Sequence, residues 1–334
     1  MKQGGQALHM EAESAMITKK DILEARERIA DAVRRTPLRK SGSLSRMAGC
    51  ELYLKAECLQ KTGAFKLRGA LNKIRSLTEE ELKRGVITAS SGNHGQAVAC
   101  GAAMANVPAV VVMPEGGSAA KAASIKDYDA ELYFCGKTSD ERMDFAHKMQ
   151  EKRGMTFVHP YDDPFVMAGQ GTIGLEIMED LQDAEVVLVP TGGGGLISGI
   201  ATAVKEINPS VRIYGVEPER ACSTSLSFAA EKRTRREVND SIADGILTSI
   251  PGELTFPVIQ KYVDGMIQVS EEEIVHALRM ILERTKFLAE PTGAVTTAAV
   301  LSEKLPEDLR GKKIVAVISG GNVALDKLSV ILAS

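Results

Sequence analysis

Short apolar runs recur along this chain, and the strongest are continuous rather than alternating: Ala109-Val110-Val111-Val112, Val186-Val187-Leu188-Val189 and Ile314-Val315-Ala316-Val317-Ile318. A strand that is apolar on both faces is one covered by helices on both sides, the pattern of parallel sheets. Weaker runs fall at Leu52-Tyr53-Leu54, Val86-Ile87-Thr88, Leu132-Tyr133-Phe134, Phe157-Val158 and Val211 to Val216. Helical spacing fills the intervals. Thr18 stands as a cap before Ile22, Ala25, Ile29 and Val33, and Ser270 with Glu273 makes a capping box before Ile274, Leu278, Ile281 and Leu282. Strands alternating with helices predict an α/β fold with parallel-rich sheets.

Residues 85–157 hold their own strand and helix repeats, which predicts a smaller domain set inside a larger one made of 18–84 and 158–334. A ligand would be closed upon in the cleft between them. Residues 1–17 are polar and without pattern, as expected of a disordered leader.

Composition narrows the partners. With 334 residues, 44% hydrophobic, the chain can bury a large core, and a net charge of −3 gives no field that would draw it to nucleic acid or an anionic membrane. No stretch reaches the roughly 18 apolar residues of a membrane helix, and the start lacks a signal-peptide core, so the cytoplasm is the expected location. Five cysteines without a C-x-x-C pair read as buried thiols rather than disulfides or a zinc site.

Chemistry enters at four strand ends. Gly192, Gly193, Gly194 and Gly195 follow Val186 to Pro190 and precede Leu196-Ile197-Ser198-Gly199. A run without Cβ atoms lets backbone N–H groups converge on an anion at a helix start, and no Lys-Ser or Lys-Thr marks a nucleotide loop. Lys66 opens a helix beside Phe65, where the dipole and lost hydration lower an amine's pKa. Ser90-Ser91-Gly92-Asn93-His94 follows another strand and suits a carboxylate. Ser319-Gly320-Gly321-Asn322 ends the last strand. Each has a plainer reading: a flexible turn, a solvated lysine, N-capping by Ser91 or Asn93, a turn serine. Together they fit pyridoxal 5′-phosphate and an amino acid.

Those motifs, with Ala168-Gly169-Gln170-Gly171-Thr172 and Glu290-Pro291-Thr292, occur in the order found in the type II fold of pyridoxal-phosphate enzymes. The chain resembles the branch containing threonine dehydratases and serine racemases over nearly everything after residue 17. The resemblance implies that Lys66 carries the cofactor as a Schiff base and that Phe65 packs on its ring. It further implies that Asn93 bonds the ring's 3′ oxygen, that Gly192 to Leu196 cradle the phosphate and that Ser319 faces the pyridine nitrogen. Ser90, Ser91, Asn93 and His94 would hold the substrate carboxylate. Lys66 would take the α-proton, and the β-hydroxyl would leave with a proton from the cofactor phosphate, giving a 2-oxo acid and ammonia. Ala64 stands where the family usually has Ser, so one hydroxyl near the substrate carboxylate is missing.

In similar racemases a serine at the place of Ser91 handles the proton opposite the lysine, so racemisation accompanies dehydration as an expectation. Tyr161-Asp162-Asp163-Pro164 looks more like the dehydratases. The resulting expectation is L-threonine or L-serine dehydration, with serine racemisation, or phenylserine or hydroxyaspartate dehydration, as alternatives. A non-catalytic phosphate-ligand binding protein is the rival of another class. Sulfur-amino-acid synthesis on this fold is disfavoured because Leu67-Arg68-Gly69 follows the lysine. The branch also implies a cation at Glu217, the carbonyl of Ala221 and Ser223, where Ser223 replaces an acidic residue, and a homodimer or homotetramer. A regulatory nucleotide near Gln96, Arg284 and Asn322 is weighed against a generic polar interface. With the chain ending at Ser334, isoleucine feedback is not expected.

Overall fold

The computed structural model describes residues 16–333 except 91, 118, 137–138, 238–239 and 303. Its strands are β1 (Leu38–Lys40), β2 (Glu51–Ala56), β3 (Val86–Ala89), β4 (Ala109–Met113), β5 (Glu131–Phe134), β6 (Thr156–Phe157), β7 (Val186–Pro190), β8 (Arg212–Pro218), β9 (Gly265–Val269) and β10 (Lys313–Ile318). The helices that matter for the site are α1 (Lys19–Ile29), α2 (Lys66–Arg75), α3 (Asn93–Ala105), α4 (Ser139–Arg153), α5 (Pro164–Asp180), α6 (Gly195–Ile207), α7 (Ser223–Ala229), α8 (Thr255–Tyr262), α9 (Glu271–Thr285) and α10 (Pro291–Leu301).

The strands form a six-stranded sheet ordered β1-β2-β10-β7-β8-β9 and a four-stranded sheet ordered β5-β4-β3-β6. Every pair is parallel except β1 with β2. Side chains alternate across each strand, and both sides are apolar. Ile314, Ala316 and Ile318 of β10 join Leu52, Leu54, Val186 and Leu188 under α9 and α10. Val315 and Val317 face the other way, with Val187, Val189 and Ile213, against Ile173 and Ile177 of α5 and Ile197 and Ile200 of α6. Each strand seen in the pattern is present. The two it missed, β1 and β9, are edge strands with partly exposed residues, so neither carries a continuous apolar run.

The four strands of the smaller sheet lie within 86–157. One of its apolar layers, however, is filled by Ile29, Ala32, Leu67, Ala70, Leu71 and Ile74, which precede that segment in the chain. Of the expected leader, 1–15 lie outside the described residues. Ile17 does not fit a disordered tail: it is buried with Ile22, Ala25 and Val258. Thr18 caps α1 in a capping box with Asp21, and Ser270 does so for α9 with Glu273; there Ile274, Leu278 and Ile281 are buried, while Leu282 is half-buried.

Behind the site, charge is buried. Arg68 of α2 donates to Glu57 at 2.9 Å and to Glu176 of α5 at 2.6 Å, and Lys55 of β2 donates to Glu176 at 2.5 Å. Thr36 donates to Glu57, and Thr172 accepts from Arg68 at 3.1 Å. Two cations and two carboxylates balance in a region closed to water, the condition under which such charges are tolerated. Burial works against the Arg68 charge, yet Glu57 and Glu176 outweigh it and push its pKa up.

Candidate active site

Backbone pairing between distant segments brings the motifs together. Ala64 forms an antiparallel bridge with Gly320, Phe65 N–H donates to the Ser319 carbonyl at 3.0 Å, and Gly321 N–H donates to the Gly63 carbonyl at 2.8 Å. Gly63 sits at φ +71°, and a Cβ there would lie 2.3 Å from the Asn322 side chain, so the turn and the close approach both require glycine. Ala64 is fully buried in this seam.

A cavity of about 1300 Å³ opens where the stitched segments meet the glycine loop. Lys66, Phe65, Ser90, Asn93, His94, Gly192 to Leu196 and Ser319 all line it. Ser91 lies outside the described residues. Lys66 is the first residue of α2; its Nζ sits 5.1 Å from the centre of the Phe65 ring and donates to the Pro160 carbonyl at 2.7 Å. Burial lowers its pKa to about 8, with Glu290 pulling weakly the other way. The rate at which the cofactor-free protein condenses with an aldehyde is therefore expected to rise with pH through a midpoint near 8, as the neutral amine accumulates. A midpoint near the ordinary lysine value of 10.5 would contradict this.

The N-cap of α3 is Gly92, with Asn93 inside the first turn. That frees Asn93, whose Nδ2 donates to Glu290 at 2.7 Å and whose Oδ1 accepts from Asn322 at 2.9 Å. Asn322 also donates to the Thr62 carbonyl and, at 3.3 Å, to Gln96. Gln96 and Asn322 are thus neighbours inside the seam, while Arg284 is exposed near the end of α9. Burial raises the Glu290 pKa to about 7, with Asp244 adding to the rise. His94 is buried, and burial lowers its pKa to about 3, so the ring is neutral; its Nε2 is 2.9 Å from the Val158 carbonyl. With the ring engaged there, the group His94 offers an anion is its backbone N–H in the first turn of α3.

The glycine loop is gripped through its carbonyls. Gly192 accepts from Thr224 Oγ1 at 2.6 Å; Gly193 accepts from Thr255 Oγ1 at 2.6 Å and from Gly252 N–H at 3.1 Å. A Cβ on Gly193 would meet the Tyr161 ring at 2.5 Å, and one on Gly195 the Tyr161 backbone at 2.8 Å. Gly194 sits at φ +99° as the N-cap of α6, whose first N–H groups have no acceptor within the helix. The sequence pattern marks the loop but not its clamps: Tyr161 stands only as a family mark, Thr255 and Pro160 carry no signal, and Glu290 lies in a motif that gives it no role.

The three positions expected to hold a cation run from the end of β8 to the start of α7. Glu217 is buried with both oxygens facing the start of α7: Oε1 accepts from Thr224 N–H at 3.2 Å, and Oε2 from Ser225 N–H and Oγ at 2.6 Å each. Burial pushes its pKa up to about 7 against those hydrogen bonds. Ser223 Oγ donates to the Thr248 carbonyl, and Ala221 is buried.

This two-sheet α/β fold with a lysine between glycine and serine turns defines a class. Residues 29–320 match the family of pyridoxal-phosphate dependent enzymes, and the chain belongs to it. It is 49% identical over 317 residues to an L-threonine ammonia-lyase of Thermotoga maritima, covering 95% of this chain and 78% of the relative. It is 47% identical to a catabolic L-threonine dehydratase of Staphylococcus aureus, covering 92% of this chain and 90% of the relative. The structure of maize serine racemase superposes with a TM-score of 0.91 at 39% identity, over 95% of this chain and 97% of that one. The fold is that of the type II pyridoxal-phosphate enzymes.

The cavity suits the family's cofactor. Ser319 Oγ is buried without a hydrogen-bond partner among the described residues, as befits a group facing a ring nitrogen. The amine is held partly neutral, and the loop with its helix start suits a phosphate. No described helix is long and apolar enough to cross a membrane.

Proposed function

We propose that this chain dehydrates L-threonine and L-serine with pyridoxal phosphate, releasing a 2-oxo acid and ammonia. The observation that carries the reading is the Lys66 amine, lowered to a pKa of about 8 and lining one cavity with Ser319 and the glycine loop. Its support is identity near half to the ammonia-lyase and dehydratase relatives. The cofactor, when bound, supplies an aldehyde for the amines of Lys66 and substrate and a ring that withdraws electrons.

Lys66 Nζ would hold the cofactor through its aldehyde carbon and, once displaced there by the substrate amine, would as a free amine take the proton from the substrate Cα. Phe65 would back the cofactor ring, and Asn93 would hydrogen-bond its phenolic oxygen. Gly192, Gly193, Gly194, Gly195 and Leu196 bind phosphate through backbone N–H groups. Ser319 would meet the ring nitrogen with a neutral hydroxyl. A hydroxyl cannot compensate a pyridinium as a carboxylate does, which keeps the ring a weak sink and favours fast loss of the β-hydroxyl over prolonged carbanion chemistry. Ser90, Ser91, Asn93 and the His94 N–H receive the substrate carboxylate. The site sits in the cleft between units 85–157 and 18–84 with 158–334. A homodimer or homotetramer in the cytoplasm completes the reading, with Glu217, the Ala221 carbonyl and Ser223 as the place a divalent or monovalent cation would take.

A second reading, serine racemisation, rests on Ser91 as the acid opposite Lys66. A panel of threonine, serine, phenylserine and hydroxyaspartate in both configurations, followed by oxo-acid release and chirality, tests both. We expect L-threonine and L-serine to lead, and Ser91→Ala to keep L-substrate elimination while removing racemisation. Turnover confined to other members of the panel overturns the substrate assignment, and equal loss of both reactions in Ser91→Ala overturns the two-face scheme.

A further inference from the structure

Five consecutive residues after β6, His159 to Asp163, run past both ends of the cavity, and each is tied down. His159 Nδ1 accepts from Asp162 N–H at 2.7 Å; burial lowers the His159 pKa to about 4, so the ring is a neutral acceptor. The Pro160 carbonyl holds Lys66 Nζ. Tyr161 covers Gly193 and Gly195. Asp163 caps α5 through Phe165 and Val166 N–H and pairs with Lys73 of α2 at 2.9 Å.

Asp162 does something its neighbours do not. Its carboxylate accepts three successive backbone N–H groups, from Glu253 and Leu254 at 2.9 Å and Thr255 at 3.2 Å. These are the orphan donors at the start of α8, a helix whose own N-cap residue, Leu254, offers no side-chain acceptor. The turn so fixed is the one that delivers Gly252 N–H and Thr255 Oγ1 to the Gly193 carbonyl. A Cβ on Gly252 would lie 2.1 Å from Asp162 Oδ1, so the fit is close.

We propose that Asp162 is a positioning residue for the phosphate end of the site, setting the glycine loop through the 252–255 turn while the adjoining Pro160 and Tyr161 fix that loop's distance from Lys66. The carboxylate touches no reacting atom; it acts through Thr255 and Gly252. The inference rests on the proposed use of pyridoxal phosphate and says which residue outside the loop secures the phosphate.

The test compares two probes on the cofactor-free full-length chain: pyridoxal 5′-phosphate and unphosphorylated pyridoxal, each titrated by absorbance. Losing the charge on an acceptor of three N–H groups is expected in Asp162→Asn to weaken pyridoxal phosphate about tenfold and pyridoxal less than about twofold. Asp163→Asn, on the same segment but off the 252–255 turn, should leave the ratio of the two affinities unchanged. Thr255→Val removes the last link with Asp162 intact and should lower the ratio in the same direction, which carries the test if Asp162→Asn does not fold. Equal weakening of both probes, or an unchanged ratio in Asp162→Asn and Thr255→Val, overturns the inference. An unaltered chain that fails to bind pyridoxal phosphate overturns the functional reading instead.

Discussion

Lys66→Ala is expected to abolish turnover, by at least about a thousandfold, and to remove the long-wavelength absorbance of the bound cofactor. The position is fixed before any ligand arrives: Lys66 begins α2, its backbone neighbours are bridged to Ser319 and Gly320, and its Nζ is held by Pro160. Arginine cannot substitute, because a guanidinium stays charged and does not condense with an aldehyde. Borohydride should fix the cofactor to the unaltered protein and not to Lys66→Ala, and peptide mapping should place the adduct at residue 66. Retained dehydration in Lys66→Ala, or an adduct at another lysine, would remove the basis of the assignment. Asn93→Ala with Lys66 intact should keep the adduct, which separates loss of the nucleophile from loss of the pocket.

The second large effect is on stability. Arg68→Met is expected to cost about 3–5 kcal/mol in urea unfolding of the cofactor-free chain, because Glu57 would be left buried without its cation and Glu176 with Lys55 alone. Arg212, paired with Asp308 at 2.5 Å on the surface, is the contrast: Arg212→Met should change stability too little to resolve. If Arg68→Met costs no more than Arg212→Met, the buried network is not what fastens α2 to α5. The double substitution Arg68→Met with Glu57→Leu should recover part of the loss, since it leaves the Lys55–Glu176 pair intact and removes the carboxylate that Arg68 alone had paired.

What could be read from residues alone depended on what kind of force made each element. Val186 to Val189 and Ile314 to Ile318 announce themselves because both faces of the strand are buried, so every position must be apolar. Gly265 to Val269 has no such demand at the sheet edge and hid among loops. Lys66, Asn93, the four glycines and Ser319 were legible because each sits where a strand hands over to a helix or turn. Pro160 and Thr255 were not, since a carbonyl or a hydroxyl that serves one hydrogen bond leaves no pattern. Arg68 and Glu176 carry no pattern that pairs them; only packing shows they meet, 108 residues apart.

The placement of β10 bears on how the protein comes into being. It is synthesised last of the strands yet lies between β2 and β7, in the middle of the larger sheet, and its exit turn supplies Ser319 and the partner of Ala64. A ribosome-bound chain lacking that strand has a sheet split down its centre and half a cofactor seat. The Ser319 side of the cofactor seat can therefore form only once β10 has joined the sheet.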